Sequence, residues 1–201
     1  MNIAVLTFEG FNELDSFIAA GILNRMKHKG WKVQITCPSP QVTSMNGITV
    51  KAQQPLEFAN TADVVLFGSG VYTRDIASDD GILSRLNLNP QKQLLGAQCS
   101  GTLLLAKLGY LNNVPACTDL TSKPWVIDAG VEVLNQPFIA KDKVATAGGC
   151  MSSEYLATWV IAKLEGESEA CEAIRYVAPV GQKDEAVARA IAAVMPYIDY
   201  R

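Results

Sequence analysis

The chain has 201 residues, of which 49% are hydrophobic and 18% charged, and its formal net charge is −3. Such a composition is typical of a folded chain with a well-buried core and argues against disorder. It leaves no basic surface for nucleic acid or anionic lipid, and no apolar run reaches the ~20 residues that a membrane span needs. Residues 1–6 are typical of a first strand rather than of a leader peptide, so we expect a cytoplasmic protein.

Strand and helix patterns alternate along the chain without a linker or repeat, which predicts one domain over residues 1–201. In the first part we predict a strand at 2–7, a helix at 13–27 that Gly30 ends, a strand at 31–36, a hairpin over 42–52 and a strand at 63–67. The remaining predicted elements are a helix at 79–87, a strand at 93–98, a helix at 100–109, a strand at 143–147, and helices at 152–164, 168–175 and 184–195. This alternation predicts an α/β fold with a mostly parallel sheet between two helical layers.

Ligands of such folds bind beyond the carboxyl ends of the strands. The loops expected at that edge are 8–13, 68–73, 98–101, 118–125 and 147–152. Any functional residues are therefore expected in these loops or in the first turns of the helices that follow them.

The strongest local signal is the segment Gly96–Gly101, which joins a predicted strand to a predicted helix around Cys99. The residues two before and two after the cysteine, Ala97 and Gly101, are both small, as a nucleophile elbow requires. The turn places the thiol at a helix N-terminus, where the dipole favours the thiolate. A free cysteine is more often a small buried hydrophobic residue, but the strand–turn–helix setting favours a nucleophile.

Backbone N–H groups near Cys99 are the expected oxyanion-hole donors. One is the N–H of Ser100, and a second is expected from Gly70 or Val71 in the glycine-rich loop after the third buried strand. Cys150 follows the pair Gly148–Gly149 in a loop that should face the same edge.

The other cysteines have no comparable setting, and we interpret them as structural. The chain has an odd number of cysteines and no CxxC motif, so neither a disulfide framework nor a zinc site is expected. These cysteines are Cys37, Cys117, Cys150 and Cys171.

Asp15 lies in the first turn of the first predicted helix, above the carboxyl end of the first strand. A carboxyl group there could share a proton with Cys99 or act as an acid and base. Alternatively, Asn12 is the N-cap and Asp15 its partner in a weak capping box, and spacing alone favours this cap. Glu13 is interpreted as a solvated acid of the first turn.

His28 is the only histidine, and it lies 13 residues after Asp15, near the C-terminal end of the same predicted helix. That spacing separates the two by about 20 Å, so His28 belongs at the opposite edge of the sheet. A Cys–His–acid triad therefore cannot be built, which excludes protease and glutaminase chemistry of the papain-like and amidotransferase kinds.

Three segments together resemble the ThiJ/PfpI superfamily, the relatives of class I glutamine amidotransferases. These are 8–15, 97–101 and 145–149, and the region 116–164 looks closest to the isonitrile hydratase branch. The resemblance implies a flavodoxin-like three-layer α/β/α sandwich, a pocket bordered by Gly148 and Gly149, no cofactor or metal, and a homodimer. It also places Asp15 at the acid that approaches the cysteine, which overturns the preference for a cap.

Asp119 is a departure from that resemblance, because many superfamily members have a histidine near this position. A carboxylate close to Cys99 would disfavour the thiolate. Asp119 is equally consistent with a cap before the segment that begins at Ser122, and the two interpretations stay open.

The resemblance implies a hydratase or lyase that acts on an isocyanide or a dicarbonyl, with Cys99 as the nucleophile and Asp15 as the acid and base. The first alternative is a redox or stress sensor in which Cys99 is oxidised to the sulfinic acid. The second is a ligand-binding regulatory domain, which ranks lowest because the chain has no basic segment near Arg201 for binding DNA.

Overall fold

The computed structural model describes residues 1–198 and places seven strands in one sheet and two in a separate hairpin. The strands are β1 (Asn2–Leu6), β2 (Lys32–Cys37), β3 (Gln41–Thr43), β4 (Thr49–Lys51), β5 (Gln54–Pro55), β6 (Val64–Phe67), β7 (Leu94–Gln98), β8 (Phe138–Lys141) and β9 (Val144–Ala147). The α-helices are α1 (Glu13–Leu23), α2 (Thr73–Ile76), α3 (Asp80–Leu83), α4 (Gly101–Lys107), α5 (Lys123–Asp128), α6 (Ser153–Glu165), α7 (Glu167–Val177) and α8 (Lys183–Val194).

The large sheet has the strand order β5-β2-β1-β6-β7-β9-β8, and every neighbouring pair is parallel except β8–β9. The five central parallel strands therefore follow the flavodoxin-like order, with a switch point between β1 and β6. This confirms the predicted α/β fold with its mostly parallel sheet. The hairpin of β3 and β4 is antiparallel, as its Asn46-Gly47 turn predicts.

The sheet lies between two helical layers. Successive residues of a strand point to opposite faces of the sheet, so each strand contacts both layers. Ile3 and Val5 of β1 pack in a core with residues of α1, α6, α7 and α8. Ala4 and Leu6 pack in a second core with residues of α2, α4 and α5. Both faces of β1 are thus buried, which explains its continuous apolar run.

Several element bounds differ from the predictions. The first helix ends at Leu23 and continues as a 3-10 segment, Asn24–Lys29, which Gly30 closes with a φ of 81°. The helix expected at 79–87 is only the single turn of α3. The pattern also missed β5, β8, α2 and α5, because elements of two to six residues carry too little periodicity to be recognised.

No helix within residues 1–198 combines the length and apolar character needed to cross a membrane. The parallel topology brings the carboxyl ends of β1, β6, β7 and β9 to one edge of the sheet. The loops after these four strands carry the residues of the candidate site.

Candidate active site

The turn after β7 has the geometry of a nucleophile elbow. Cys99 adopts a φ of 48°, one of three positive values among non-glycine residues in the described chain. A Cβ added to Gly101 would lie 2.6 Å from the carbonyl oxygen of Gly68 and 2.7 Å from that of Phe67. Only glycine fits this close approach, and the elbow expected from small flanking residues is therefore present.

Backbone hydrogen bonds fix Cys99 from both sides. Its N–H donates to the carbonyl of Ala147 at 2.9 Å, and its own carbonyl accepts the Thr118 hydroxyl at 2.7 Å. The side chain is buried, with 4% of its surface exposed. The elbow thus holds the sulfur in one place at the carboxyl edge of the sheet.

Asp15 points inward from the first turn of α1 and is 2% exposed. The Ser69 hydroxyl donates to one carboxyl oxygen, and the Gln98 side-chain amide donates to the other at 3.2 Å. Asn12 caps the helix by accepting the Leu14 N–H at 3.1 Å. The cap is real, but Asp15 is free of it and faces the elbow.

Asp15, Cys99 and Cys150 form one cluster. A carboxyl oxygen of Asp15 and the two sulfurs all lie within 4.8 Å of one another. The loop after β9 thus brings Cys150 to the elbow, at the edge of the sheet where its position after Gly149 predicts it. The cluster offers three donor atoms for a metal, one fewer than the four of a structural zinc site.

Burial governs the protonation of this cluster. It raises the pKa of Asp15, although the hydrogen bonds from Ser69 and Cys99 oppose the shift. It also raises the pKa of the Cys99 thiol, and the negative charge of Asp15 raises it further. The expected lowering of the Cys99 pKa by the helix N-terminus is therefore wrong, because two buried acids so close together retain at least one proton.

The expected second oxyanion donors are already hydrogen bonded. The Gly70 N–H donates to the Ser100 hydroxyl at 3.2 Å, and the Val71 N–H donates to the carbonyl of Gly10 at 2.9 Å. The Ser100 hydroxyl also lies 2.8 Å from that of Thr73. These bonds lock the glycine-rich loop to the elbow, so neither N–H faces an open site in this conformation.

Asp119 serves as the local cap that one of its two interpretations anticipated. Its carboxylate accepts the N–H groups of Thr121 at 2.9 Å and Ser122 at 3.0 Å. Its charge still reaches the elbow, where it is a minor cause of the raised pKa of Cys99. Both interpretations therefore hold, with the cap as the stronger one.

A cavity of about 450 Å³ extends from the loop that carries Gly148 and Gly149. Gly148 is required there, because an added Cβ would lie 2.5 Å from the Thr118 carbonyl oxygen. The cavity has polar and apolar walls formed by Thr118, Asp119, Leu120, Lys123, Val133, Leu134, Asn135, Gln136, Pro137, Gly148 and Gly149.

His28 is exposed in the 3-10 segment before β2, at the amino end of the parallel strands. Its ring Nδ1 lies 2.9 Å from the carbonyl of Arg25. The site therefore contains no histidine, as the spacing along the first helix predicts.

Sequence reasoning missed Gln98, although it is 1% exposed and central to the site. Besides Asp15, its side-chain amide donates to the Cys150 carbonyl at 3.0 Å and to the Ser153 hydroxyl. A glutamine inside an apolar strand, next to the cysteine, was the available signal, because a buried amide needs partners.

The model of the DJ-1/PfpI family matches residues 1–163. A ThiJ/PfpI family protein from Pseudomonas syringae is similar at 18% identity, with a TM-score of 0.76 over 98% of this chain and 88% of that one. No curated protein matches the chain.

Two DJ-1 structures have the same fold. Schizosaccharomyces pombe DJ-1 is 12% identical, with a TM-score of 0.74 over 89% of this chain and 100% of that one. Drosophila melanogaster DJ-1beta is 17% identical, with a TM-score of 0.72 over 88% of this chain and 96% of that one. At these identities the structures establish the fold alone.

Proposed function

Because this chain belongs to the DJ-1/PfpI family, we propose that it is a cofactor-free enzyme in which Cys99 attacks a small electrophilic carbon and Asp15 moves the proton. Members of the family are often enzymes. The observation that carries the proposal is the buried pair itself, a carboxyl oxygen and a sulfur within 4.8 Å at a nucleophile elbow.

Asp15 is suited to take the thiol proton and to return it. Burial raises the pKa of both groups, so the pair shares one proton rather than losing two. A carboxylate whose basicity is raised by burial is a better general base, and its protonated form is available as the acid. Nucleophilic attack can therefore begin from a neutral thiol, with the proton passing to Asp15.

We propose an isocyanide as the substrate. Cys99 sulfur bonds to the terminal carbon while Asp15 takes the thiol proton and delivers it to that carbon, which gives a thioimidate. Water then adds to the same carbon, Asp15 accepts a proton from it, and the carbon–sulfur bond breaks. Asp15 passes that proton to the nitrogen, the added hydroxyl gives its own proton to the departing sulfur, and the product is an N-substituted formamide, the isocyanide plus one water.

Ser100 and the Gly148–Gly149 loop are proposed to surround the reacting carbon. The Ser100 N–H, next to Cys99 in the elbow, is the proposed donor to an oxygen that gains charge when water adds. The cavity beside Gly148 is the proposed place for the substituent on the nitrogen. A homodimer is also proposed by family resemblance, and light scattering on the purified protein tests it.

The test is steady-state turnover of an alkyl isocyanide and of methylglyoxal, with the formamide and the lactate measured separately. We expect formamide production that Cys99→Ala abolishes and Asp15→Asn lowers by about 10²–10⁴-fold, the usual worth of a general acid or base. Cys171→Ala and Glu13→Gln are the matched controls and are expected to keep wild-type turnover.

Each other outcome has a definite meaning. Formamide production that survives in Cys99→Ala would exclude covalent catalysis at this site. Lactate without formamide would keep the roles of Cys99 and Asp15 but reject the isocyanide. Equal losses in Asp15→Asn and Glu13→Gln would reject a specific role for Asp15.

A further inference from the structure

Cys150 has no role in the proposed reaction, yet its sulfur lies within 4.8 Å of both the Cys99 sulfur and the Asp15 carboxyl. We propose that Cys99 and Cys150 form a modification site, in which a hydroperoxide oxidises Cys99 and Cys150 resolves it as an intramolecular disulfide. The inference does not depend on the isocyanide reaction, because it requires only the two thiols and an oxidant.

The two sulfurs differ in how firmly they are held. Cys99 is fixed by the elbow and by backbone hydrogen bonds on both sides. Cys150 begins a single 3-10 turn, Cys150–Ser152, directly after Gly149, which has a φ of 90°. Cys150 is therefore the residue expected to move when the two sulfurs approach the ~2.05 Å of a disulfide bond.

The surroundings of Cys150 suit an attacking thiol. It is partly exposed, unlike Cys99. The side-chain amide of Asn12 donates to its sulfur at 3.2 Å, and a donor to sulfur favours the thiolate. The pKa of Cys150 is nevertheless raised, by burial first and then by the charge of Asp15, and the second of these causes is removed when Asp15 holds the shared proton.

The chemistry balances with hydrogen peroxide as the oxidant. Cys99 sulfur attacks one peroxide oxygen, the oxygen–oxygen bond breaks, and the products are a sulfenic acid and water. Cys150 sulfur then attacks the sulfenic sulfur and expels its hydroxyl, which leaves as water with the proton from Asp15 or from the thiol. Two thiols and one peroxide thus give one disulfide and two waters, and two electrons pass from sulfur to oxygen.

The test is mass spectrometry of wild-type protein treated with hydrogen peroxide, blocked with a maleimide and digested with trypsin without reduction. Cys99 is the only cysteine of peptide 93–107, and Cys150 is the only cysteine of peptide 144–163. Before the maleimide is added, we expect an intact mass of one chain less two hydrogens; after digestion, we expect these two peptides to be joined and to separate with dithiothreitol.

Cys150→Ser tests the resolving role. Without the second thiol, Cys99 is expected to proceed to the sulfinic acid and to gain two oxygens. Cys171→Ser is the matched control and should form the same joined peptides as the wild type.

Oxygen addition at Cys99 in the wild type, with no joined peptides, would overturn the proposal, as would joining of Cys99 to any other cysteine. The wild-type measurement does not depend on any variant folding. Because it needs no substrate, its failure is also distinguishable from failure of the proposed enzyme activity.

Discussion

The buried cysteines occupy two different environments. Cys99 lies in the polar cluster at the carboxyl edge, whereas Cys37 and Cys117 lie in the interior with 1% and 0% of their surfaces exposed. Burial alone raises the pKa of Cys37 to about 11 and that of Cys117 to about 12. At Cys99 burial acts together with the charge of Asp15, a group that can also accept the proton.

The difference shows that a raised thiol pKa does not by itself separate a structural cysteine from a reactive one. All three thiols resist ionisation because their anions would lose hydration. Only Cys99 has a buried carboxyl group within 4.8 Å to which its proton can move. Turnover, as distinct from simple alkylation, is therefore expected to depend on Asp15 and on the elbow that aligns it with Cys99.

The largest expected effect comes from breaking the elbow. Gly101→Ala would place a Cβ 2.6 Å from the carbonyl oxygen of Gly68, a contact with rigid backbone. We expect unfolding by urea to require about 1–3 kcal/mol less free energy, as for other overpacked sites. We also expect the Gly101→Ala variant to lose turnover, because the strained turn displaces the Cys99 sulfur from Asp15.

Gly21→Ala is the matched control for this substitution. Gly21 lies inside α1 with no atom within 4 Å of an added Cβ, so the alanine should stabilise the protein by about 0.5–1 kcal/mol. If Gly101→Ala were as stable and as active as Gly21→Ala, the close backbone approach at the elbow would not be needed. Cys99 would then differ from the interior cysteines by Asp15 alone.

The sequence predicts the elbow and its acid but not the whole cluster. The elbow is formed by residues adjacent in sequence, so the small residues around Cys99 were enough to identify it. Asp15 required the family resemblance, because its spacing from Asn12 alone favours a cap. Cys150 lies 51 residues after Cys99, and the two meet only because β9 is the neighbour of β7 in the sheet.

The protonation of the site could not be predicted for a related reason. The helix N-terminus is a local feature, and it favours a low thiol pKa. The opposing effects of burial and of Asp15 arise from packing between distant segments, and they dominate. Gln98 was missed because the three acceptors of its amide come from two other parts of the chain.

A smaller effect is expected when the carboxyl group is removed without disturbing the elbow. Asp15→Asn takes away a negative charge that raises the pKa of Cys99, so Cys99 should be alkylated at lower pH and about tenfold faster at neutral pH. Iodoacetamide labelling of peptide 93–107 against pH measures this. Turnover should fall in the same variant, which separates proton transfer from simple thiolate formation.

Labelling of Cys117 provides the internal reference in that experiment, because no charged group shifts its pKa. It should stay slow and unchanged in Asp15→Asn. An unchanged pH profile of Cys99, or equal acceleration at Cys117, would mean that Asp15 does not control the elbow thiol and that the two environments differ only in exposure.

At neutral pH the smallest expected effect lies in the interior. A thiol whose pKa is raised in the folded state contributes its full stability below its unfolded pKa and loses it as pH rises toward the folded value. For Cys117 this window runs from 9.0 to about 12. The free energy of unfolding should therefore fall in this window by at most about 1.4 kcal/mol per pH unit because of this thiol.

Cys117→Ala removes that slope, so the free energies of unfolding of wild type and variant, measured with urea, should converge with rising pH. Those of wild type and Cys171→Ala should converge less, because Cys171 is partly exposed. Parallel curves for Cys117→Ala would indicate that its thiol ionises within the folded protein, and the contrast with Cys99 would then rest on the nearby carboxyl group alone.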